Sequence, residues 1–252
     1  MIVVGTAGWS IPRACAKRFP DEGTHLQRYG QVLRGVEVNS SFYRHHATAT
    51  YARWAKQTPR GFSFAIKLPR RITHDERLRA ARRPLQEFLG SLAGLGRRLG
   101  PLVVQLPPSL AFEPRVARGF FALLREHHEG PAVCEPRHAS WFEAEADALL
   151  HRYRVGRVAA DPAVVPAAAV PGGWPEIVYY RLHGSPRKYW SVYEVKPVAQ
   201  WAQALRGLRC GTLAWWVFDN TAGGGAAGNA LPMLERLGAG RGRRVPSGRL
   251  QE

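Results

Sequence analysis

Eight short runs rich in β-branched residues recur along the chain, and most of them end in a polar or charged residue. The runs are Ile2 to Trp9, Gly35 to Phe42, Phe62 to Pro69, Leu102 to Pro107, Ala132 to His138, Arg157 to Asp161, Ile177 to Gly184 and Thr212 to Asn220. Several, such as Leu102-Val103-Val104, are continuously apolar, the pattern of parallel strands covered on both faces. Segments of helical period separate most of them. Tyr51, Trp54 and Ala55 mark one helix, Leu85, Phe88, Leu89, Leu92 and Leu95 a second, and Val116, Phe120, Leu123 and Leu124 a third. Further helices are expected over Glu143 to Tyr153, Pro197 to Arg206 and Asn229 to Leu237. Eight βα units in a chain of 252 residues predict a TIM-like (β/α)8 barrel in one domain spanning residues 1–237. The sixth unit is irregular. Pro162 to Pro175 carries four prolines and a Gly-Gly pair, which predicts a long loop or a single helical turn.

Composition narrows the classes. No apolar stretch approaches the roughly 20 residues of a membrane helix, so no membrane partner is expected and a cytoplasmic protein is the simplest reading. Cys15, Cys134 and Cys210 form no CxxC pair, which fits reduced thiols. The formal net charge is +17. Only Lys17, Lys56, Lys67, Lys188 and Lys196 are lysines, so arginine dominates, as a GC-rich coding bias would produce without any partner. A basic surface still attracts nucleic acid non-specifically. No zinc finger, helix-turn-helix or aromatic RNA-binding motif is present. Residues 238–252 are Gly/Arg-rich, lack period and read as a disordered tail.

Barrel chemistry lies at the carboxyl ends of the strands. Residues two apart on a strand share a face, so Glu37 with Asn39, Glu135 with Arg137, and Arg181 with His183 are each expected to point into one cavity. Lys67, Gln105, Asp161, Asp219 and Asn220 end other runs and join them. Glu37, Glu135, His183 and His138 are the expected catalytic groups. Lys67, Arg137 and Arg181 are expected to hold an anion while Asn39 and Gln105 orient it, with Trp141 as a platform. Ser140 is expected to cap the following helix, with Glu143 completing a capping box. The eighth loop, Asp219 to Asn229, is glycine-rich, and Gly224 and Gly225 lie where its backbone N–H groups can approach a phosphate at a helix N-terminus.

The resulting expectation is an enzyme performing acid/base chemistry on a small anionic, phosphorylated ligand, with no cofactor predicted. Three alternatives remain open from the residues alone. One is a nucleic-acid-binding or processing accessory protein. Another is a metal-assisted hydrolase or isomerase, in which Glu37, Glu135, Asp161, His183 and Asp219 would ligate a divalent ion. The neighbouring Lys67, Arg137 and Arg181 would repel such an ion, and no HxH or HExxH spacing occurs. The third is a metabolite-binding barrel without turnover.

Several motifs together resemble the YecE-like family, the domain of unknown function 72. They are Gly5-Thr6-Ala7-Gly8-Trp9-Ser10, Val36 to Tyr43, Phe62 to Pro69 with Ile72-Thr73-His74, Leu99-Gly100-Pro101 with Gln105 to Ser109, Glu135 to Trp141, Tyr180 to Gly184, and the eighth loop ending Asn229-Ala230. The resemblance runs in order over residues 2–236 and implies a TIM-like barrel; it implies no reaction. Pro136 and Ala139 depart from the family, which usually has an aromatic residue and often a proline there. Pro136 removes a ladder donor, which predicts a bulge or an early end to the fifth strand.

Overall fold

A computed structural model describes residues 1–239. One ten-stranded, mostly parallel sheet curls into a nearly closed barrel. In chain order the elements are β1 (Ile2–Ala7), α1 (His25–Val32), β2 (Gly35–Val38), α2 (Ser40–Tyr43), α3 (Thr48–Gln57), β3 (Ser63–Lys67), α4 (Arg82–Leu92), β4 (Leu99–Gln105), α5 (Pro114–His127) and β5 (Ala132–Glu135). There follow α6 (Ala144–Arg152), β6 (Val155–Arg157), β7 (Ala159–Asp161), β8 (Gly172–Gly173), β9 (Ile177–Leu182), α7 (Val195–Arg206), β10 (Leu213–Phe218) and α8 (Gly225–Ala239). The expected tail lies, from residue 240 onward, outside the described residues.

The strand order around the sheet is β7-β9-β10-β1-β2-β3-β4-β5-β6-β8. All pairs are parallel except β6 with the two-residue β8. Ten strands replace the expected eight because the sixth run divides at Val158, where β6 pairs with β5 and β7 with β9, and because the short β8 is added beside β6. The proline-rich segment after it forms a single helical turn, Pro166–Ala169, and β8, as its composition predicts.

Two boundaries differ from expectation for identifiable reasons. The second run stops as strand at Val38 and turns helical over Ser40–Tyr43. The fourth strand starts three residues early, at Leu99, and its register slips between Phe64 and Ile66 of β3. Pro101 can donate no ladder hydrogen bond, which suits it to such an irregularity. Gly100 sits where an added Cβ would lie 2.6 Å from Ser63 Oγ, so only glycine lets the strands approach there. β5 ends at Glu135, immediately before Pro136.

Side-chain alternation sorts the strands into two packed layers. Val3, Ala65, Val103, Val133, Tyr179, Trp215 and Val217 fill the barrel interior. The opposite faces, including Val36, Ile66, Val104 and Trp216, pack against the surrounding helices. Moving two residues toward the carboxyl end from Ala65, Val103, Val133, Tyr179 and Val217 gives Lys67, Gln105, Glu135, Arg181 and Asp219. Glu37 pairs with Ala65 and so shares that face. The apolar interior thus gives way, one layer higher, to a ring of polar and charged side chains.

Candidate active site at the barrel mouth

Arg181 is the centre of the ring, with 2% of its side chain exposed. Its Nε donates to Glu37 Oε2 at 3.0 Å and its Nη2 to Glu37 Oε1 at 2.7 Å, a bidentate pair across the barrel. Its Nη1 donates to Glu135 Oε2, and its Nη2 also reaches Asp219 Oδ2 at 3.3 Å. Tyr179, two residues earlier on the same strand face, adds a hydrogen bond from its hydroxyl to Glu37 Oε2 at 2.8 Å. Burial alone would push the guanidinium pKa down, but Glu135, Glu37 and Asp219 outweigh it and hold Arg181 well above its usual value. Burial would likewise raise Glu135, yet Arg181, Arg137 and His183 hold that carboxyl well below the usual range. Burial and the Glu37 charge push the Tyr179 hydroxyl well up.

His183 is fully buried between two carboxylates, with Nδ1 2.8 Å from Asp219 Oδ2 and Nε2 3.0 Å from Glu135 Oε1. Arg137 Nη2 lies 3.0 Å from the same Nε2 and 2.7 Å from Glu135 Oε1. With a proton on Nε2 the ring donates to Glu135 and faces an Arg137 donor. Without it, the ring accepts from Arg137. The proton on Nε2 is therefore coupled to the position of the Arg137 side chain.

Lys67 stands apart from this network. It is 9% exposed, and among the described residues its Nζ enters no hydrogen bond or ion pair, lying 3.9 Å above the Phe42 ring instead. Its backbone is fixed by Ser41 Oγ, which donates to Lys67 O at 2.7 Å. Burial, then the nearby Arg181 charge, brings the amine down to about 8 against the pull of Glu135, Glu37 and Asp219. His74 stacks edge-on against Phe42, and its pKa is lowered by burial and then by Lys67. On the other side, the loop after β9 brings half-buried Lys188 near the cluster, its pKa lowered by burial and then by Arg137.

The ring thus unites Glu37, Lys67, Gln105, Glu135, Arg137, Arg181, His183 and Asp219. Gln105 pairs in register with Glu135 and turns its amide onto Leu106 O at 2.8 Å. Asn39 leaves the strand in helical conformation, and its Oδ1 is buried without a partner. Other expected members stand elsewhere. Asp161 pairs in register with outward-facing Leu182, so it points away from the mouth and accepts from Tyr193 Oη at 2.6 Å. Plain alternation accounts for this: Gly156 pairs with inward Val133, Val158 lies in the interior cluster and Ala160 pairs with Arg181, so the next residue, Asp161, faces out. Asn220 turns outward too, with Nδ2 bonded to Asn229 Oδ1 at 2.9 Å and Ser191 O at 3.0 Å.

Trp141 is no platform: it is 1% exposed, donates to Leu110 O at 2.9 Å and packs on Phe112 and Phe121. His138 Nδ1 is engaged by Ser140 Oγ at 2.9 Å, where it caps the helical turn Ala139–Phe142. Ser140 does not cap the next helix; it accepts from Phe112 N at 2.8 Å, and α6 starts after Glu143 without a side-chain cap. In the glycine-rich loop, the amides of Ala222 and Gly224 are engaged by Tyr189 O and Thr221 O. A Cβ on Gly225 would lie 2.7 Å from Val192 Cγ2, so this glycine answers to packing. Sequence reasoning passed over Tyr179 and named His74 only within the Ile72-Thr73-His74 motif. The face shared with Arg181 was a legible signal for Tyr179.

Among the described residues no group of three His, Cys, Asp or Glu is arranged to hold a metal ion. The carboxylates of the mouth already face guanidinium groups, which a divalent ion would have to displace. No helix among the described residues is long and apolar enough to cross a membrane.

A nearly closed barrel with a buried ionic cluster above its apolar interior defines a TIM-like barrel protein of the α/β class. The chain belongs to the DUF72 family, described as "Protein of unknown function DUF72", which matches residues 3–250. The chain is similar to UPF0759 protein YecE of Escherichia coli (strain K12), 30% identical over 174 residues covering 67% of this chain and 62% of YecE. Less than two thirds of that relative's length is therefore matched. UPF0759 protein YunF of Bacillus subtilis (strain 168) is 23% identical over 94% of this chain and 95% of its own. Among solved structures, a DUF72 family protein of Enterococcus faecalis has a TM-score of 0.79 at 21% identity, covering 94% of this chain and 96% of that one. Another of Thermotoga maritima has a TM-score of 0.77 at 23% identity, covering 94% and 99%. These likenesses show the fold that the motifs implied.

Proposed function

We propose that the barrel mouth is the active site of an enzyme performing acid/base chemistry on a small anionic, phosphorylated ligand. The observation that carries this reading is the set of polar groups left over after the carboxylates are satisfied. Arg137 Nε and Asn39 Oδ1 are buried without partners, and Lys67 Nζ faces only a ring. Buried polar atoms are rarely left unpaired, and each one asks for an explanation. An anion seated between Arg137, Lys67 and Lys188 supplies one for the cations, and Asn39 would accept from a ligand hydroxyl. Arg181, although expected to bind the anion, has its donors taken by carboxylates and serves to hold Glu37, Glu135 and Asp219 in place. His183 moves the proton, because its Nε2 can exchange between Glu135 and the ligand side as Arg137 shifts. Glu135, held ionised, orients rather than donates.

The test is thermal unfolding against sugar phosphates, nucleotides and inorganic phosphate. A ligand at 100 times its Kd adds about 2.7 kcal/mol, roughly 5 to 10 °C for a chain of this size. The rise should appear with a phosphorylated compound and vanish in Arg137→Ala. Stabilisation by no anion, or stabilisation kept in Arg137→Ala, removes the reading.

A further inference from the structure

Lys67 has the wrong surroundings for a structural counter-ion. A lysine retained to neutralise buried acids should sit within hydrogen-bonding distance of one, because the desolvation cost is recovered only in close geometry. Here both oxygens of Glu37 and Glu135, and Oδ2 of Asp219, are taken by Arg181, Arg137, Tyr179 and His183. The Lys67 Nζ is left above Phe42, at the carboxyl end of β3 and in the field of Arg181. Its backbone is clamped by Ser41, so the amine is presented at a fixed place. An amine freed of acceptors, desolvated and pressed by a neighbouring cation is the arrangement that turns lysine into a nucleophile.

We propose that Lys67 captures a carbonyl group: its Nζ attacks the carbonyl carbon of an anionic aldehyde or ketone seated at Arg137 and forms an imine. The proposal rests on the anion-binding reading above and names the ligand class of the same mouth. In the step, the nitrogen lone pair forms the C–N bond while the C=O π pair moves to oxygen. That oxygen takes a proton from His183, and the ring recovers one of the two protons on the attacking nitrogen, giving a neutral carbinolamine. Loss of the remaining nitrogen proton and of the hydroxyl as water leaves C=N. Amine and carbonyl become imine and water, with no change in oxidation state and no further reactant.

The five lysines make the test direct. The full-length protein is incubated at pH 7 with glyceraldehyde 3-phosphate and sodium cyanoborohydride, which reduces any imine to a stable amine, and the modified peptides are mapped. Lys17, Lys56 and Lys196 are exposed and Lys188 is half-buried, so they serve as internal references. With its amine down to about 8, Lys67 holds far more free base at neutral pH than an ordinary lysine. Lys67 should be modified roughly tenfold faster than any reference, or more, and inorganic phosphate should slow it. Modification of Lys67 no faster than the references overturns the proposal, and so does preferential modification of Lys188. Parallel arms separate the two readings. Stabilisation by phosphate without preferential modification at Lys67 keeps the anion site and discards the imine. Preferential modification by uncharged acetaldehyde, with no competition by phosphate in either reaction, keeps the nucleophile and discards the anion site. In a folded Lys67→Arg variant the fast, phosphate-slowed modification should disappear and leave only the slow labelling of the reference lysines; fast, phosphate-slowed modification that persists elsewhere in the variant overturns the proposal.

Discussion

The two sides of the barrel mouth treat a buried cation in opposite ways. On the β9 side Arg181 is surrounded by carboxylates and locked in its charged state. On the β3 side Lys67, buried nearly as deeply, has an aromatic ring and a like charge for neighbours, and its proton is loosely held. Both residues occupy equivalent positions, one layer above the apolar interior. The difference teaches that exposure alone says little about what a buried charge does; the acceptors around it decide. A saturated cation builds the site, while an unsaturated one is available to a ligand.

The contrast breaks most visibly at Arg181. Arg181→Met leaves Glu37 buried without a counter-ion and Glu135 with Arg137 alone, and should cost about 3 to 5 kcal/mol in denaturant unfolding. A loss within about 0.5 kcal/mol would mean that the guanidinium is not the structural centre. Next, Arg137→Ala should weaken binding of a phosphorylated ligand by about 2 to 3 kcal/mol in calorimetric titration, with a much smaller effect on folding. Equal losses in both would place Arg137 with Arg181 on the structural side. Tyr179→Phe removes one hydrogen bond to the ionised Glu37 and should lower stability by about 1.5 to 3 kcal/mol at most.

The smallest change in stability is expected at Lys67, where the sign matters more than the size. Its folded-state pKa of about 8 lies below the usual 10.5, so between these values the unfolded chain binds more protons and stability rises with pH. Lys67→Met should therefore be as stable as the wild type or more so at pH 7, and any advantage should shrink between about pH 8 and 10.5. An advantage that grew over that range would reverse the assigned environment. Glu135 gives a slope of the same sign in an acidic window, but there it is the charged form that the fold stabilises. Its lowered pKa contributes stability present above the ordinary carboxylate range and lost progressively as pH falls below about 4.5 toward the folded value.

Period-two alternation made much of this legible in the amino-acid sequence. Glu37, Lys67, Gln105, Glu135, Arg181 and Asp219 all lie on the inward parity of strands whose apolar runs were visible. Asp161 lies on the other parity, since Val158 and Ala160 are the inward residues of its run, and a polar residue at a strand end does not by itself mark an inward side chain. Trp141 and Asn220 carry polar atoms that serve either packing or a ligand equally well. Only their partners, Leu110 O and Asn229, decide. The glycine-rich loop advertised backbone access, but its neighbours Trp190, Val192 and Pro12 use that space. Least legible of all was the difference between Arg181 and Lys67, since it depends on which oxygens each can reach across the barrel.

Arg181 links acids contributed by β2, β5 and the residue after β10, strands far apart in the chain. Toward an incoming proton or anion these groups therefore respond together, as one delocalised ion held in a ring. A substitution at any one acid redistributes charge over the others. Altering the chemistry of such a mouth one acid at a time is consequently difficult, whereas Lys67, coupled to the cluster through charge but sharing none of its hydrogen bonds among the described residues, can be replaced with those bonds left in place.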